Sequence, residues 1–156
     1  MSRQPEPTPL ERGFRIAYPT GLVLCLAWPL TLQLMLGTAI HPSPEPPSGV
    51  IQQLGYTFTG LTFACALFAT WRWGRVRAGF KDVPADRQRR ILVREILLYS
   101  ALFELSSLFG LVYYGLGGPQ SERYARGFIA LTTIMFFVFV PRLQAWREAA
   151  RPEPGE

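Results

Sequence analysis

The sequence predicts an all-α polytopic membrane protein whose four transmembrane helices form an up-down bundle. Apolar residues make up 49% of the chain and are gathered in four long blocks: Ile16–Ile40, Val50–Trp71, Ile91–Leu116 and Gly127–Val140. The first three blocks reach or exceed the roughly 20 residues that span a bilayer. Tyr124 and the stem of Arg126 extend the shorter fourth block. A soluble bundle would carry a polar face on each helix, and these blocks have almost none.

The first helix is expected from about Arg15 to Ile40. Pro29 lies deep within it, where proline removes a backbone hydrogen bond and frees the carbonyl oxygen of Cys25. The apolar run is longer than the core of about 7–15 residues found in secretory signals. An uncleaved anchor is therefore favoured over a cleaved signal peptide.

Aromatic residues, proline and glycine mark the ends of the other three helices. These helices are expected at Val50 to Trp73, Pro84 to Gly115 and Glu122 to Pro141. Tyr56 lies toward one end of the second helix and Trp71 at the other, as interfacial aromatic residues require. Proline suits the first position of the third helix, and Pro141 interrupts the fourth.

The chain divides into three parts. Residues 1–13 carry several prolines among polar neighbours and are expected to form a disordered cytoplasmic tail. Residues 14–142 make up the four-helix transmembrane domain. Residues 143–156 are expected to form a cytoplasmic tail that opens with an amphipathic turn lying on the membrane, its apolar side formed by Leu143, Trp146 and Ala150.

The placement of basic residues predicts the orientation. Eight of the 16 Lys and Arg residues lie between the second block and the first turn of the third: Arg72, Arg75, Arg77, Lys81, Arg87, Arg89, Arg90 and Arg94. The connection between the first two helices has none, and the one between the last two has only Arg123 and Arg126. By the positive-inside rule the basic connection and both termini are expected to be cytoplasmic.

The net charge of +5 therefore points to lipid rather than to nucleic acid. All of the eight basic residues except Arg94 are expected to attract anionic lipid headgroups, each by about 1 kcal/mol near the surface. The bilayer itself is the first predicted partner. A second membrane protein, or a second copy of the chain, is another.

Catalytic and metal-binding patterns are missing from the sequence. Cys25 and Cys65 lie inside apolar blocks without C-x-x-C spacing, and His41 has no second ligand nearby, so no metal or cofactor is expected. There is no G-x-S-x-G, no H-E-x-x-H and no phosphate-binding glycine loop. We therefore expect no enzymatic activity and no catalytic residues.

Glu104 is the most informative single residue because it lies in the middle of the third block. It is 13 residues from Ile91, or about 20 Å along a helix, in a hydrocarbon core about 30 Å thick. A carboxylate at this depth is costly and normally faces a protein interior or a water-filled cavity. Ser100 and Ser107 share its helix face, so the three residues form a candidate proton or cation site.

A structural role for Glu104 is the alternative. A neutral glutamic acid can hydrogen-bond a neighbouring helix and fix its register, which is worth about 1 kcal/mol. Side chains at a similar depth that could accept or donate this bond are Thr31, Gln33, Thr62, Thr132 and Thr133.

Two further expectations concern charged residues nearer the ends of the helices. Arg94 and Glu95 are expected to be solvated at the cytoplasmic interface. Arg123 and Arg126 are expected to act as anchors on the other side, where either can pair with Glu122.

The segment Glu104-Leu-Ser-Ser-Leu-Phe-Gly110-Leu-Val112 resembles the second helix of the rotary ATP synthase c-subunit. In that family a carboxylate is followed six residues later by glycine, and a basic cytoplasmic loop precedes the helix. The resemblance covers some 25 residues and implies that Glu104 binds and releases a translocated proton. The second helix departs from the family because Phe58, Phe63 and Phe68 stand where c-subunits carry small residues. As a whole, the chain resembles small, uncharacterised four-helix inner-membrane proteins of bacteria.

Two functions follow from these patterns. The first is an accessory or assembly subunit in the inner membrane, with Glu104 buried for structural reasons. The second is a subunit of a proton- or cation-coupled channel or carrier that uses Glu104.

Overall fold

The computed structural model describes residues 7–36, 38–41 and 49–151. Within these residues the chain folds as five α-helices and one 3-10 turn: α1 Pro9–Met35, α2 Val50–Gly79, α3 Ala85–Gly117, the 3-10 turn Pro119–Ser121, α4 Glu122–Phe139 and α5 Leu143–Ala149. The predicted all-α class is confirmed for this part of the chain. Four of its segments are long and apolar enough to cross a membrane, the last of them running from α4 into α5.

The first helix begins earlier than predicted. Thr8 caps α1 by accepting a hydrogen bond from the N–H of Glu11, and the Glu11 carboxylate accepts one from the N–H of Thr8. This reciprocal capping box fixes a helix start, and Pro9 occupies the first turn, where its missing N–H costs nothing. Residues 9–13, predicted as part of the disordered tail, are therefore helical. Residues 1–6 lie outside the described part of the chain.

Helix α3 is the centre of the fold. It packs against α1 at Gly21 and Ser100, against α4 at Ser107 and Thr132, and against α2 through its Glu95. Helices α1 and α4 also pack against each other, so α1, α3 and α4 form a three-helix core. The helix pairs α2–α3 and α3–α4 are antiparallel, whereas α1 and α3 are parallel.

Helix α2 is attached at the side of this core. Only Thr62 and Ala69 of its 30 residues are buried, and large apolar side chains such as Phe63 and Leu67 are 68% and 70% exposed. A soluble monomer rarely exposes this much contiguous apolar surface. Such a surface suits a hydrocarbon environment.

The helix ends that adjoin the α2–α3 connection, here called the basic end, are closed by α5. Trp146 of α5 is fully buried and packs against Trp73 and Phe80, with ring centroids 4.7 and 5.0 Å apart. Arg147 forms an ion pair with Glu11 of α1. The amphipathic turn predicted at residue 143 is present as a helix, but protein rather than membrane covers its tryptophan.

Two glycines permit close helix contacts in the core. A Cβ atom on Gly21 would lie 2.4 Å from the Ser100 hydroxyl oxygen, and one on Gly110 would lie 2.6 Å from the Ala125 backbone oxygen. Both distances are too short for atoms that are not bonded. Gly110, one of the residues that carry the c-subunit resemblance, thus allows α3 to pack against α4.

Gly110→Ala should destabilise the bundle because the added methyl group meets backbone atoms that cannot move aside. The cost of such overpacking is about 1–3 kcal/mol, and we expect a lower midpoint of thermal unfolding in detergent. Gly115→Ala is the matched control, since nothing lies within 4 Å of a Cβ atom there. It should leave the midpoint unchanged or raise it, because alanine is the better helix former. Equal midpoints for the two variants would contradict the packing described here.

Candidate functional site

A layer of polar side chains crosses the core halfway along the helices, and it consists of Cys25, Ser100, Glu104, Ser107, Thr132 and Thr133. One of its hydrogen bonds is made possible by Pro29, which lacks the N–H that would otherwise bond the carbonyl oxygen of Cys25. The Thr133 hydroxyl of α4 donates to that carbonyl oxygen at 2.6 Å. The freed carbonyl predicted from the sequence is therefore satisfied by another helix.

Cys25 also links α1 to α3. Its thiol donates to the Ser100 carbonyl oxygen, with a sulfur–oxygen distance of 3.6 Å, and the Ser100 hydroxyl donates to the carbonyl oxygen of Ile96 at 2.9 Å. Both residues are fully buried. The small size of Gly21 allows α1 to approach Ser100 closely enough for this contact.

Ser107 and Thr132 form the contact between α3 and α4. Their hydroxyl oxygens lie 2.8 Å apart, and Thr132 also reaches the Phe103 carbonyl oxygen at 3.1 Å. Ser106 donates to the carbonyl oxygen of Phe128 at 2.7 Å. These bonds fix the register of the two helices, because a hydroxyl without a partner would be costly in an apolar interior.

Glu104 lies at the side of this layer, next to α1. Its side chain is half-buried, but both carboxyl oxygens are buried. The carboxyl group interacts with the Ser107 hydroxyl and the Cys25 thiol. Neither contact has the geometry of a hydrogen bond, and both groups already bond elsewhere. Glu104 is therefore held near its predicted neighbour Ser107, without a satisfied hydrogen bond.

The partners predicted for Glu104 bond to other groups. Thr31 and Thr62 each donate to a carbonyl oxygen of their own helix, four residues earlier. Gln33 lies at the end of the bundle away from the basic end, here called the opposite end, where its amide donates to the Arg126 carbonyl oxygen at 2.8 Å. Thr132 and Thr133 belong to the polar layer without bonding Glu104.

A second polar cluster, near the basic end, was not predicted. Arg72 of α2 makes a two-pronged contact with the Glu95 carboxylate, at 2.5 and 2.8 Å. Arg94 adds a third bond at 3.1 Å. The Tyr99 hydroxyl, one turn further along α3, is buried without a hydrogen-bond partner among the described residues. The pairing ties α2 to α3 by the strongest kind of protein hydrogen bond.

The expectation that Glu95 is solvated is wrong, because its side chain is 0% exposed, whereas Arg94 is 67% exposed as predicted. The pairing follows from the observed helix bounds, which the sequence did not give at the end of α2. Arg72 lies seven residues before the end of α2 and Glu95 ten residues after the start of α3. The two therefore lie within one helical turn of the same depth.

The remaining basic residues of the α2–α3 region differ in their surroundings. Arg75, Arg77, Arg87, Arg89 and Arg90 are exposed. The Arg75 guanidinium lies over the Trp71 ring, 4.8 Å from its centroid, and Lys81 is half-buried. Arg72, also a predicted headgroup ligand, is instead paired with a buried carboxylate. The headgroup role of the others stays a prediction.

At the opposite end, Arg126 pairs with Glu122 at 2.7 Å, as predicted. It also bonds the side-chain oxygen of Gln33 at 3.2 Å, which ties α4 to α1. Arg123 makes no such pair within the described residues and stacks over Tyr124.

Comparison with known proteins finds no relative of this chain. No protein family matches this chain, and neither does any curated protein or solved structure. Within the described residues, no group of three or more His, Cys, Asp or Glu side chains is placed to hold a metal ion.

Arg72→Ala should detach α2 from α3 because it leaves the buried Glu95 carboxylate with Arg94 alone. Removing one partner of a buried ion pair costs about 3–5 kcal/mol, which should appear as a lower unfolding midpoint. The double variant Arg72→Leu with Glu95→Leu should recover most of this loss, since no charge is then left buried. Arg77→Ala, which alters an exposed arginine, is the control. A midpoint for Arg72→Ala equal to that of the control would contradict the role given to the pair.

Proposed function

We propose that this chain is an accessory or assembly subunit of the bacterial inner membrane, with both termini in the cytoplasm. One observation carries the proposal: the polar side chains of the middle layer bond from helix to helix. They therefore act on the packing of the bundle. The apolar faces that remain exposed, above all on α2, are available to lipid and to the helices of another membrane protein.

Glu104 has a structural role in this proposal. A neutral carboxylic acid beside Cys25 and Ser107 contributes a polar contact between α1 and α3, and its burial favours the form without charge. The nearby packing is close, as the contact of Gly21 with Ser100 illustrates.

A specific observation favours the second candidate, a proton- or cation-coupled subunit. Both carboxyl oxygens of Glu104 are buried without a hydrogen bond, and such groups are concentrated at functional sites. The resemblance of the segment Glu104–Val112 to the c-subunit helix points in the same direction.

The two candidates differ in their response to Glu104→Gln, which keeps the shape and hydrogen-bonding ability of the side chain and removes its titration. In proteoliposomes carrying a pH-sensitive dye, we expect neither the wild-type chain nor the variant to accelerate decay of a pH gradient. The wild type and Glu104→Gln should also assemble into the same membrane complex. The measurement is the native size of the complex that contains the chain, in digitonin extracts of host membranes.

Proton flux through the wild type that disappears in Glu104→Gln, with folding unchanged, would replace the accessory role with the transport role. Labelling of Glu104 by a hydrophobic carbodiimide would support the same reversal. A chain that migrates in host membranes at the size of the purified chain alone would contradict the accessory role.

The proposed orientation is tested by reporter fusions. Alkaline phosphatase inserted after residue 46 should be active, because that connection is expected outside the cytoplasm, where the enzyme forms its disulfides. Green fluorescent protein fused after residue 156 should fluoresce. An active phosphatase inserted after Lys81 would reverse the orientation.

A further inference from the structure

Helices α2 and α4 enclose an apolar groove that the core does not fill. It has a volume of about 370 Å³ and is lined by Thr62, Phe63 and Ala66 of α2 and by Gly127, Leu131 and Met135 of α4. Gly127 has nothing within 4 Å of the position where a Cβ atom would lie. The groove is therefore open space beside α4, bordered almost entirely by hydrocarbon.

The groove adjoins a wider and more polar cavity at the opposite end of the bundle. This cavity has a volume of about 930 Å³ and is lined partly by Gln52, Tyr56 and Gln120. Arg123 and Tyr124 line both spaces. The groove and the cavity therefore share lining side chains, one of which is cationic.

Arg123 has hydrogen-bond donors left for a ligand where the groove and the cavity meet. Its guanidinium donates to the Tyr124 hydroxyl at 2.6 Å and lies 4.6 Å from the centre of that ring. It forms no ion pair with any residue that the structure describes, whereas Arg126, one turn away, is neutralised by Glu122. A guanidinium has five N–H donors in a fork that fits phosphate, so most of them are free for a ligand.

We propose that this site binds one phospholipid, with its phosphate on Arg123 and one acyl chain in the groove. The dimensions agree with this assignment. From Arg123 to Met135 is about 18 Å along the helix, and one leaflet contributes about 15 Å of hydrocarbon. The polar cavity beyond Arg123 accommodates the remainder of the headgroup.

A partner helix fits the groove less well than an acyl chain. A helix is at least 10 Å across with its side chains, so it would lie over the mouth of the groove and leave the space beside Gly127 unfilled. A single extended hydrocarbon chain is much thinner. This inference rests on the proposed membrane location and is independent of the accessory role.

The test uses the full-length protein purified in detergent, with phosphatidylglycerol added at a fixed ratio and bound lipid counted by native mass spectrometry. The wild type should retain one phospholipid. Gly127→Leu places a side chain in the groove, and Arg123→Gln removes the charge. Arg123→Gln should weaken phospholipid binding by about tenfold or more, since a hydrogen bond to a charged group contributes about 1.5–3 kcal/mol. Gly127→Leu should lower the lipid-bound fraction because its side chain occupies the groove.

Gly60→Leu is the matched control, because Gly60 also lies on a helix with nothing within 4 Å and does not line the groove. It should bind lipid as the wild type does. Diacylglycerol with the same acyl chains should bind at least about tenfold more weakly, and its binding should not change in Arg123→Gln, because it lacks the phosphate.

Two results would overturn the proposal. One is unchanged phospholipid retention in both Gly127→Leu and Arg123→Gln. The other is a dimer peak that Gly127→Leu abolishes while lipid retention persists, which would make the groove an interface between two copies. Carbonate extraction distinguishes failure of the lipid-site proposal from failure of the proposed membrane location. A chain released from membranes by carbonate would refute the membrane location itself.

Discussion

Helix α3 packs against three other helices, and this packing constrains the polar side chains that α3 buries. Such a group can be satisfied only by its own backbone or by a neighbouring helix, because water is excluded. Ser106 and Ser107 bond to α4, and Glu95 bonds to α2. The polar residues of α3 therefore determine how far each neighbour can slide or rotate.

The two glutamates of α3 show how depth limits what a charge can do. Glu95 lies near the basic end, where the Arg72 side chain can reach it while remaining 29% exposed. The arginine of the pair thus keeps part of its surface exposed while Glu95 keeps none, which lowers the desolvation penalty of burying the pair. Glu104 lies two and a half turns deeper, in a layer that offers only hydroxyl and thiol groups. Its carboxyl oxygens are buried there without a hydrogen bond.

The sequence predicted the features that depend on local composition. It did not predict those that depend on which face of a helix meets its neighbour. Apolar blocks located the four long helices, and Pro29 predicted a free carbonyl oxygen on Cys25. The donor, Thr133, could not be chosen among several hydroxyl groups of similar depth, because nothing in the sequence specifies which face of α4 meets α1. The solvation of Glu95 was mispredicted for the same reason. The early start of α1 was a missed signal, since Thr8 and Glu11 have capping-box spacing.

The contact between α5 and α1 has a consequence for synthesis. Glu11 and Arg147 are 136 positions apart, so their ion pair cannot form until almost the whole chain has left the ribosome. Until then Trp73 and Phe80 lack the covering indole of Trp146. Long-range contacts of this kind form late, and α5 closes the basic end after α1–α4 have been synthesised. A chain that stopped short of α5 would thus leave Trp73 and Phe80 without their covering indole.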